Sequence, residues 1–352
     1  MTQSFFDGHN DTLLNIYMNY NSDSDIFFQR VSKGHIDFQR AVQAGMLGGF
    51  FAVFPPPHSG LSLPNPEDYL TTDGYDVPLP ETVDTEACRK VTDEMTDLLY
   101  QIEASSNHKF RIVKNIFELR KAIQHNKMAA ILHFEGAEAI KPDLSNLENY
   151  YRMGLRSLGL VWSRPNAFAQ GVPYRYPSTG DIGPGLSQEG RALVRKCNEL
   201  GIMLDTSHLN EKGFWDVIEL STAPVTATHS NAYTLCPISR NLTDEQLQAI
   251  AKSNGVVGVT YSVNMTRSDG KMNRDTAIQE VVSHIRYIAD LIGAEHVSLG
   301  SDFDGTTLPN ELMDVSYVPK LMDTLLKNGF SEKEVEQIAF SNWLRVLEDT
   351  WK

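Results

Sequence analysis

Short, nearly continuous apolar runs rich in β-branched residues alternate along this chain with longer stretches whose apolar positions recur at helical spacing. Eight runs read as strands: Ser4–Gly8, Leu47–Val53, Ala129–Phe134, Ser157–Val161, Gly201–Asp205, Val225–Thr228, Gly255–Thr260 and His296–Gly300. Apolarity on both faces is expected of strands that are covered on both sides. The stretches Glu81–Ala104, Leu186–Leu200, Thr243–Ser253, Thr276–Ile292 and Glu332–Glu348 read as amphipathic helices, and Thr243-Asp244-Glu245 is a helix-start signature. Alternation of this kind predicts βα units with parallel strands. Eight of them predict an α/β fold, a (β/α)8 TIM-like barrel forming a single domain over residues 1–352.

Two segments break the alternation. Pro55–Pro80, after the second strand, is rich in Pro, Gly, Ser and Asp, and Pro165–Gly185, after the fourth, carries Asn, Gly, Pro and Tyr. Loops this long are functional or mobile. In a barrel both would lie at the carboxyl ends of the strands, where active sites sit. There is no internal repeat and no low-complexity segment.

Composition narrows the function classes. A length of 352 residues would admit two domains, but barrels with inserted loops reach it as one. The formal net charge of −14 argues against a nucleic-acid surface and against an anionic membrane surface. The three cysteines, Cys88, Cys197 and Cys236, show no Cys-x-x-Cys spacing, and their odd number gives no support for a disulfide framework. A reducing compartment fits. The start of the chain has no basic region followed by an apolar stretch, and no run of about 18 apolar residues occurs. A cytoplasmic protein without a membrane span is therefore expected.

The strand ends carry the candidate chemistry. Strand one runs into His9-Asn10-Asp11, strand three into His133-Phe134-Glu135-Gly136 and strand five into Asp205-Thr206-Ser207-His208. Strand six runs into Thr228-His229-Ser230 and strand eight into Gly300-Ser301-Asp302-Phe303-Asp304-Gly305. Residues i and i+2 of an extended strand share a face, so His9 and Asp11 converge if the strand holds to its end. His133 and Glu135 have the same relation, and either could be a ligand. Alone, the His9-x-Asp11 pair is better read as a polar strand end with a satisfied histidine. Five of eight strands ending in metal-binding residue types at one mouth is more than a random placement of ten histidines would give. A metal that activates water needs several N/O donors and an open position.

These segments resemble the membrane dipeptidase (renal dipeptidase) family of zinc peptidases, within the amidohydrolase superfamily. The likeness is carried by Asp7-Gly8-His9-Asn10-Asp11, Glu135-Gly136, Gly185-Leu186-Ser187, Asp205-Thr206-Ser207-His208, Thr228-His229-Ser230-Asn231-Ala232-Tyr233, Ser239-Arg240-Asn241, Gly300 to Gly305 and Ser341 to Val346. The resemblance implies two divalent metal ions per chain, with zinc the expectation, although imidazole and carboxylate ligands do not exclude manganese, iron or cobalt. His9, Asp11 and Glu135 would hold one ion and Glu135, His208 and His229 the other, with Glu135 bridging and His133 packed beneath. A hydroxide between the ions would attack the peptide carbonyl of a dipeptide, with a D-residue tolerated at the C-terminal position. Asp302 would carry the proton to the leaving amine, with Asp304 the competing candidate. Arg240 would bind the substrate carboxylate, a task suited to its planar fork. Tyr233 would line the site, and a homodimer is implied.

One departure stands out. The mammalian enzymes of the family carry Thr-His-Ser after strand four, with the His near the scissile carbonyl, whereas this chain has Val161-Trp162-Ser163. An indole is a donor only and not basic. Trp162 therefore either hydrogen-bonds a developing oxyanion or walls the pocket. It motivates a rival substrate class, an N-acyl amino acid, another small amide or a lactone. A second rival is a metal-bearing but inactive binding protein, against which Asp302 weighs. Arg156 and Arg164 are expected in structural pairing, and His35, His58, His108, His125, His284 and His296 as surface or helix histidines.

Overall fold

The computed structural model describes residues 4–56 and 66–352. Eight strands, β1 Phe5–Asn10, β2 Met46–Val53, β3 Met128–Glu135, β4 Leu155–Gly159, β5 Met203–Asp205, β6 Val225–Ser230, β7 Val257–Val259 and β8 Val297–Leu299, pair in that order. Every neighbouring pair is parallel. The circle closes where the chain beyond β8 meets the end of β1. Asp302 N donates to His9 O at 3.0 Å and Asp11 N to Phe303 O at 2.7 Å, and Ser301 donates through N and Oγ to the buried Asp7 carboxylate at 2.8 and 2.9 Å. This is the expected TIM-like barrel.

The registers differ from expectation in instructive ways. β1 runs two residues past Gly8, so the turn-prone Asp7-Gly8 pair lies inside a strand. Gly8 is required there by close approach: a Cβ would lie 2.5 Å from Trp343 Cζ2 and 2.7 and 2.9 Å from the Leu299 and Thr228 carbonyl oxygens. β4 begins and ends two residues earlier than Ser157–Val161, which puts Trp162 on the loop. A further strand, Phe110–Ile112, pairs with the first residues of β3 before β4 takes over from Leu132.

Helices cover the outside, and their starts follow the sequence signals. Thr243 caps Asp244–Lys252 in a capping box with Gln246, and Ser187 caps Gln188–Leu200. The last expected helix is interrupted. Ser331 caps Glu332–Glu336, a π-helical turn covers Gln337–Ser341, and Asn342–Thr350 resumes. The resumed helix inserts Trp343 under the barrel, where it packs with Phe6, Phe50 and Met203 and donates to Leu299 O at 3.0 Å. The larger apolar cluster lies between the helices and the barrel wall.

The two long loops meet over the carboxyl mouth, where Tyr75–Asp76 pairs antiparallel with Arg175–Tyr176. Part of the first loop, with His58, lies outside the described residues. His284 lies on the helix Ile278–Ile292, as one of the expected alternatives had it, but on its inner face: it is wholly buried and ties Ala232 N to Thr266 O. All three cysteines are free and buried. Among the described residues no helix is long and apolar enough to cross a membrane.

Candidate metal centre

At the carboxyl mouth, five strand ends bring six polar side chains, His9, Asp11, Glu135, His208, His229 and Asp302, to one buried point. His9 lies inside β1, and Asp11 follows as the N-cap of the helix Thr12–Asn19. The strand is no longer extended at Asp11 (φ −102°, ψ 30°), yet its Oδ2 comes within 3.4 Å of His9 Nε2. Glu135 closes β3, and its Oε1 lies 3.8 Å from His9 Nε2, 3.0 Å from His208 Nε2 and 3.5 Å from His229 Nε2. The two Nε2 atoms of His208 and His229 are 3.0 Å apart. His208 and Asp302 sit just beyond β5 and β8 with φ of +68° and +61°. Non-glycine residues hold that left-handed conformation at a cost, and such strain clusters at functional sites.

Two overlapping donor sets result, His9, Asp11 and Glu135, and Glu135, His208 and His229, with Glu135 common to both. Asp302 also forms a set with His9 and His229. Below them His133 pairs with Ser157 Oγ at 2.8 Å and faces Asp205 at 3.6 Å. Of the two residues left open at the end of β3, it is Glu135 that reaches both sets.

Electrostatically the group is dominated by buried carboxyls that repel one another. Burial, reinforced by Asp11 and Asp302, pushes the Glu135 carboxyl well above its usual range against the pull of His9 and Arg240. Burial likewise raises Asp302, to about 7, with Asp11 and Asp7 adding to it and His9 and Arg240 opposing. Burial would lower His9, but Glu135, Asp11 and Asp302 outweigh it and raise the imidazole to about 10. His208 and His229 are held neutral, by burial first and then by the neighbouring positive groups. Both nitrogens of His9 and Oδ1 of Asp11 are buried without a hydrogen-bond partner among the described residues. Buried polar atoms are normally satisfied. Neutral imidazole nitrogens and carboxylate oxygens converging without donors are the ligand chemistry of zinc and similar divalent ions, so these residues fit a metal.

The surroundings provide a substrate space. A cavity of about 30 Å³ is lined by Asp11, Glu135, His208, Asp302, Trp162 and Tyr174 among others. Trp162, Tyr174 and Gly305 also line a second cavity of about 390 Å³, whose outer wall is Pro66, Val77, Pro78, Pro80 and Met272. Trp162 is buried between Phe54 and His208, with ring centroids at 5.0 and 5.8 Å. Arg240 is buried and donates through Nη2 to His229 O at 3.2 Å, while its Nε has no partner among the described residues. Asp304 is already engaged, accepting from His35 N at 2.6 Å and Thr12 Oγ1 at 3.3 Å. Arg164 forms the expected buried ion pair, with Glu138 at 2.8 Å, and Arg156 bonds backbone carbonyls.

Tyr233 lines neither cavity. It is half-buried, and its backbone N–H pairs with Leu242 O. The tyrosine at the mouth is Tyr174, which no pattern in the sequence marks. Only the length of its loop points toward it.

A model of the membrane dipeptidase family (peptidase family M19) matches residues 1–352. A Rhodobacter sphaeroides metallo peptidase, solved with a phosphinate mimic of the dipeptide L-Ala-D-Ala, is 40% identical, with a TM-score of 0.96 and full coverage of both chains. A second solved structure, of a family M19 metallo peptidase called dipeptidase AC, is 39% identical, with a TM-score of 0.94 over 100% of this chain and 99% of that one. An uncharacterized Klebsiella pneumoniae protein from the pqqA 5′ region is 41% identical over 255 residues, 72% of this chain and 94% of its own. The chain belongs to the membrane dipeptidase family, peptidase family M19, and is a hydrolase of the metallodipeptidase class.

Proposed function

We propose that residues 1–352 act as one hydrolase domain that cleaves the peptide bond of dipeptides at a binuclear site, with zinc the metal and a D-residue accepted at the C-terminal position. The observation that carries this reading is the sharing of Glu135 between two donor sets at the floor of a small cavity. The Rhodobacter neighbour's ligand, a mimic of L-Ala-D-Ala, supports the choice of dipeptide and of stereochemistry.

His9, Asp11 and Glu135 hold one ion, and Glu135, His208 and His229 the other. Bound there, the ions supply Lewis-acid polarisation of the carbonyl and a more acidic water. Asp302 accepts the proton of the attacking water and delivers it to the leaving nitrogen as the C–N bond breaks, producing a carboxylate and an amine. Asp302 is suited to both transfers by its place beside both donor sets, where it forms a set with His9 and His229. Asp304 is less suited because both of its oxygens already accept hydrogen bonds. Arg240 offers its unpartnered Nε to the terminal carboxylate of the dipeptide. Trp162 and Tyr174 wall the reacting bond from water.

The test is hydrolysis of a library of L-Xaa-L-Xaa and L-Xaa-D-Xaa dipeptides by the zinc-loaded protein. Cleavage abolished by a chelator is expected. No cleavage with two zinc ions bound would overturn the dipeptide reading, and turnover of N-acyl amino acids or lactones instead would assign the effect to Trp162.

A further inference from the structure

Beneath His229 a short chain of hydrogen bonds has only one consistent direction. Asp205, the last residue of β5, accepts Ser207 N–H at 3.0 Å and Thr228 N–H at 2.8 Å through Oδ1. Its Oδ2 lies 2.6 Å from Thr228 Oγ1. Thr228 Oγ1 in turn lies 2.9 Å from His229 Nδ1. All of these residues are buried. A threonine hydroxyl has one proton and a carboxylate only accepts. The Thr228 proton is therefore spent on Asp205, and Thr228 Oγ1 can only accept from His229 Nδ1–H. A neutral imidazole carries one N–H, so Nε2 is left with its lone pair facing Glu135 and His208.

We infer that Asp205 and Thr228 are positioning residues that fix the His229 tautomer, presetting its Nε2 as a metal ligand before any metal arrives. This rests on the binuclear reading above. His208 has no such relay among the described contacts: its Nδ1 meets Ser163 Oγ at 3.1 Å, and nothing there dictates which atom donates. Hydrogen-bond partners of this kind orient ligands and raise their basicity, and losing one typically costs about 10–100-fold in metal affinity.

The relay makes an unusual prediction for Asp205→Asn. Two backbone N–H groups hold the introduced carbonyl oxygen at the Oδ1 position, so the new NH2 must face Thr228 Oγ1 and donate. The Thr228 proton is then turned toward His229 Nδ1, which must accept it. That puts the imidazole proton on Nε2, where the ligand lone pair should be. Asp205→Asn therefore imposes the wrong tautomer, whereas Thr228→Val only stops imposing the right one.

The experiment uses the full chain with zinc and a competing chelator, together with ¹⁵N imidazole spectra of the metal-free protein. Wild type is expected to show His229 protonated at Nδ1. Thr228→Val should weaken zinc binding about tenfold, Asp205→Asn about 100-fold with the proton moved to Nε2, and Thr228→Ser by no more than about threefold. The double variant Asp205→Asn/Thr228→Val should bind zinc as well as Thr228→Val alone, because removing the hydroxyl uncouples the introduced amide from the imidazole. Additive losses in the double variant, or an Nε2-protonated His229 in wild type, would overturn the relay. A wild-type chain that shows the expected tautomer but binds fewer than two zinc ions would overturn the binuclear reading instead. Should Asp205→Asn fail to fold, the Thr228→Val and Thr228→Ser pair and the wild-type spectrum still decide the matter.

Discussion

His208 and His229 point their Nε2 atoms at each other across 3.0 Å, and both nitrogens lie within 3.5 Å of one Glu135 oxygen. With the His229 Nε2 lone pair turned inward, one imidazole proton on His208 Nε2 could satisfy only part of this cluster, and a cation among the three groups would satisfy all of it. Metal removal should therefore cost stability as well as activity. A ligand at 100 times its dissociation constant stabilises the native state by about 2.7 kcal/mol. Thermal unfolding with zinc and with a chelator is the check, and the metal-free chain should melt several degrees lower. Glu135→Gln, which removes the charge common to both donor sets, should abolish this difference.

Asp302→Asn should reduce turnover by at least about 10²-fold, the usual contribution of a positioned acid–base group, while zinc content stays at the wild-type value. Asp304→Asn should instead lower the melting temperature, because Asp304 ties His35 N and Thr12 Oγ1 to the loop beyond β8. Steady-state rates and metal analysis of both variants separate the two roles. Turnover surviving Asp302→Asn would remove Asp302 as the proton carrier.

Arg240→Met should raise KM for dipeptides by about 10- to 100-fold, the range expected for a lost hydrogen bond to a charged group. Dipeptides with an amidated C-terminus should show no comparable difference between wild type and variant. If both substrate classes lose equally, Arg240 acts on the metal ligands, through its bond to His229 O, rather than on the substrate carboxylate.

Gly8→Ala should be strongly destabilising, by about 1–3 kcal/mol or more, because the added methyl meets the Trp343 ring and two carbonyl oxygens that cannot yield without opening the barrel. Urea unfolding measures it. A reading of Asp7-Gly8 as a turn would expect little change.

Gly8 also shows where the sequence is silent. The alternation of apolar runs and amphipathic stretches marks all eight strands, since strands buried on both faces must be apolar throughout. What it cannot mark is close approach between distant segments. Trp343 under the barrel, which dictates Gly8, comes from the far end of the chain. The polar residues at strand ends are legible because metal chemistry restricts ligands to a few residue types, and the barrel rule places strand ends at one mouth. Tyr174 is not legible, because a loop tyrosine has no periodicity to place it. Tyr233 is expected at the mouth from the motif it shares with His229; its N–H pairs with Leu242 O, and it lines neither of the two cavities described above.

Trp162 distinguishes the two readings of its own role. It borders both cavities and packs on Phe54 and His208, with Arg164 stacked 5.7 Å from its ring. Packing on three sides favours a wall, and on that reading Trp162→Phe should keep kcat within about threefold of wild type, since a phenyl ring preserves most of the contact. Trp162→Ala should merge the inner and outer cavities and shift preference toward dipeptides with larger side chains beside the cleaved bond. If the indole N–H instead stabilised the developing oxyanion, Trp162→Phe would cost about 10²–10³ in kcat, the usual loss of one such donor. Measuring kcat and KM for both variants on a small and a large dipeptide separates the alternatives: the wall changes which substrate is preferred, and the donor changes the rate for all of them.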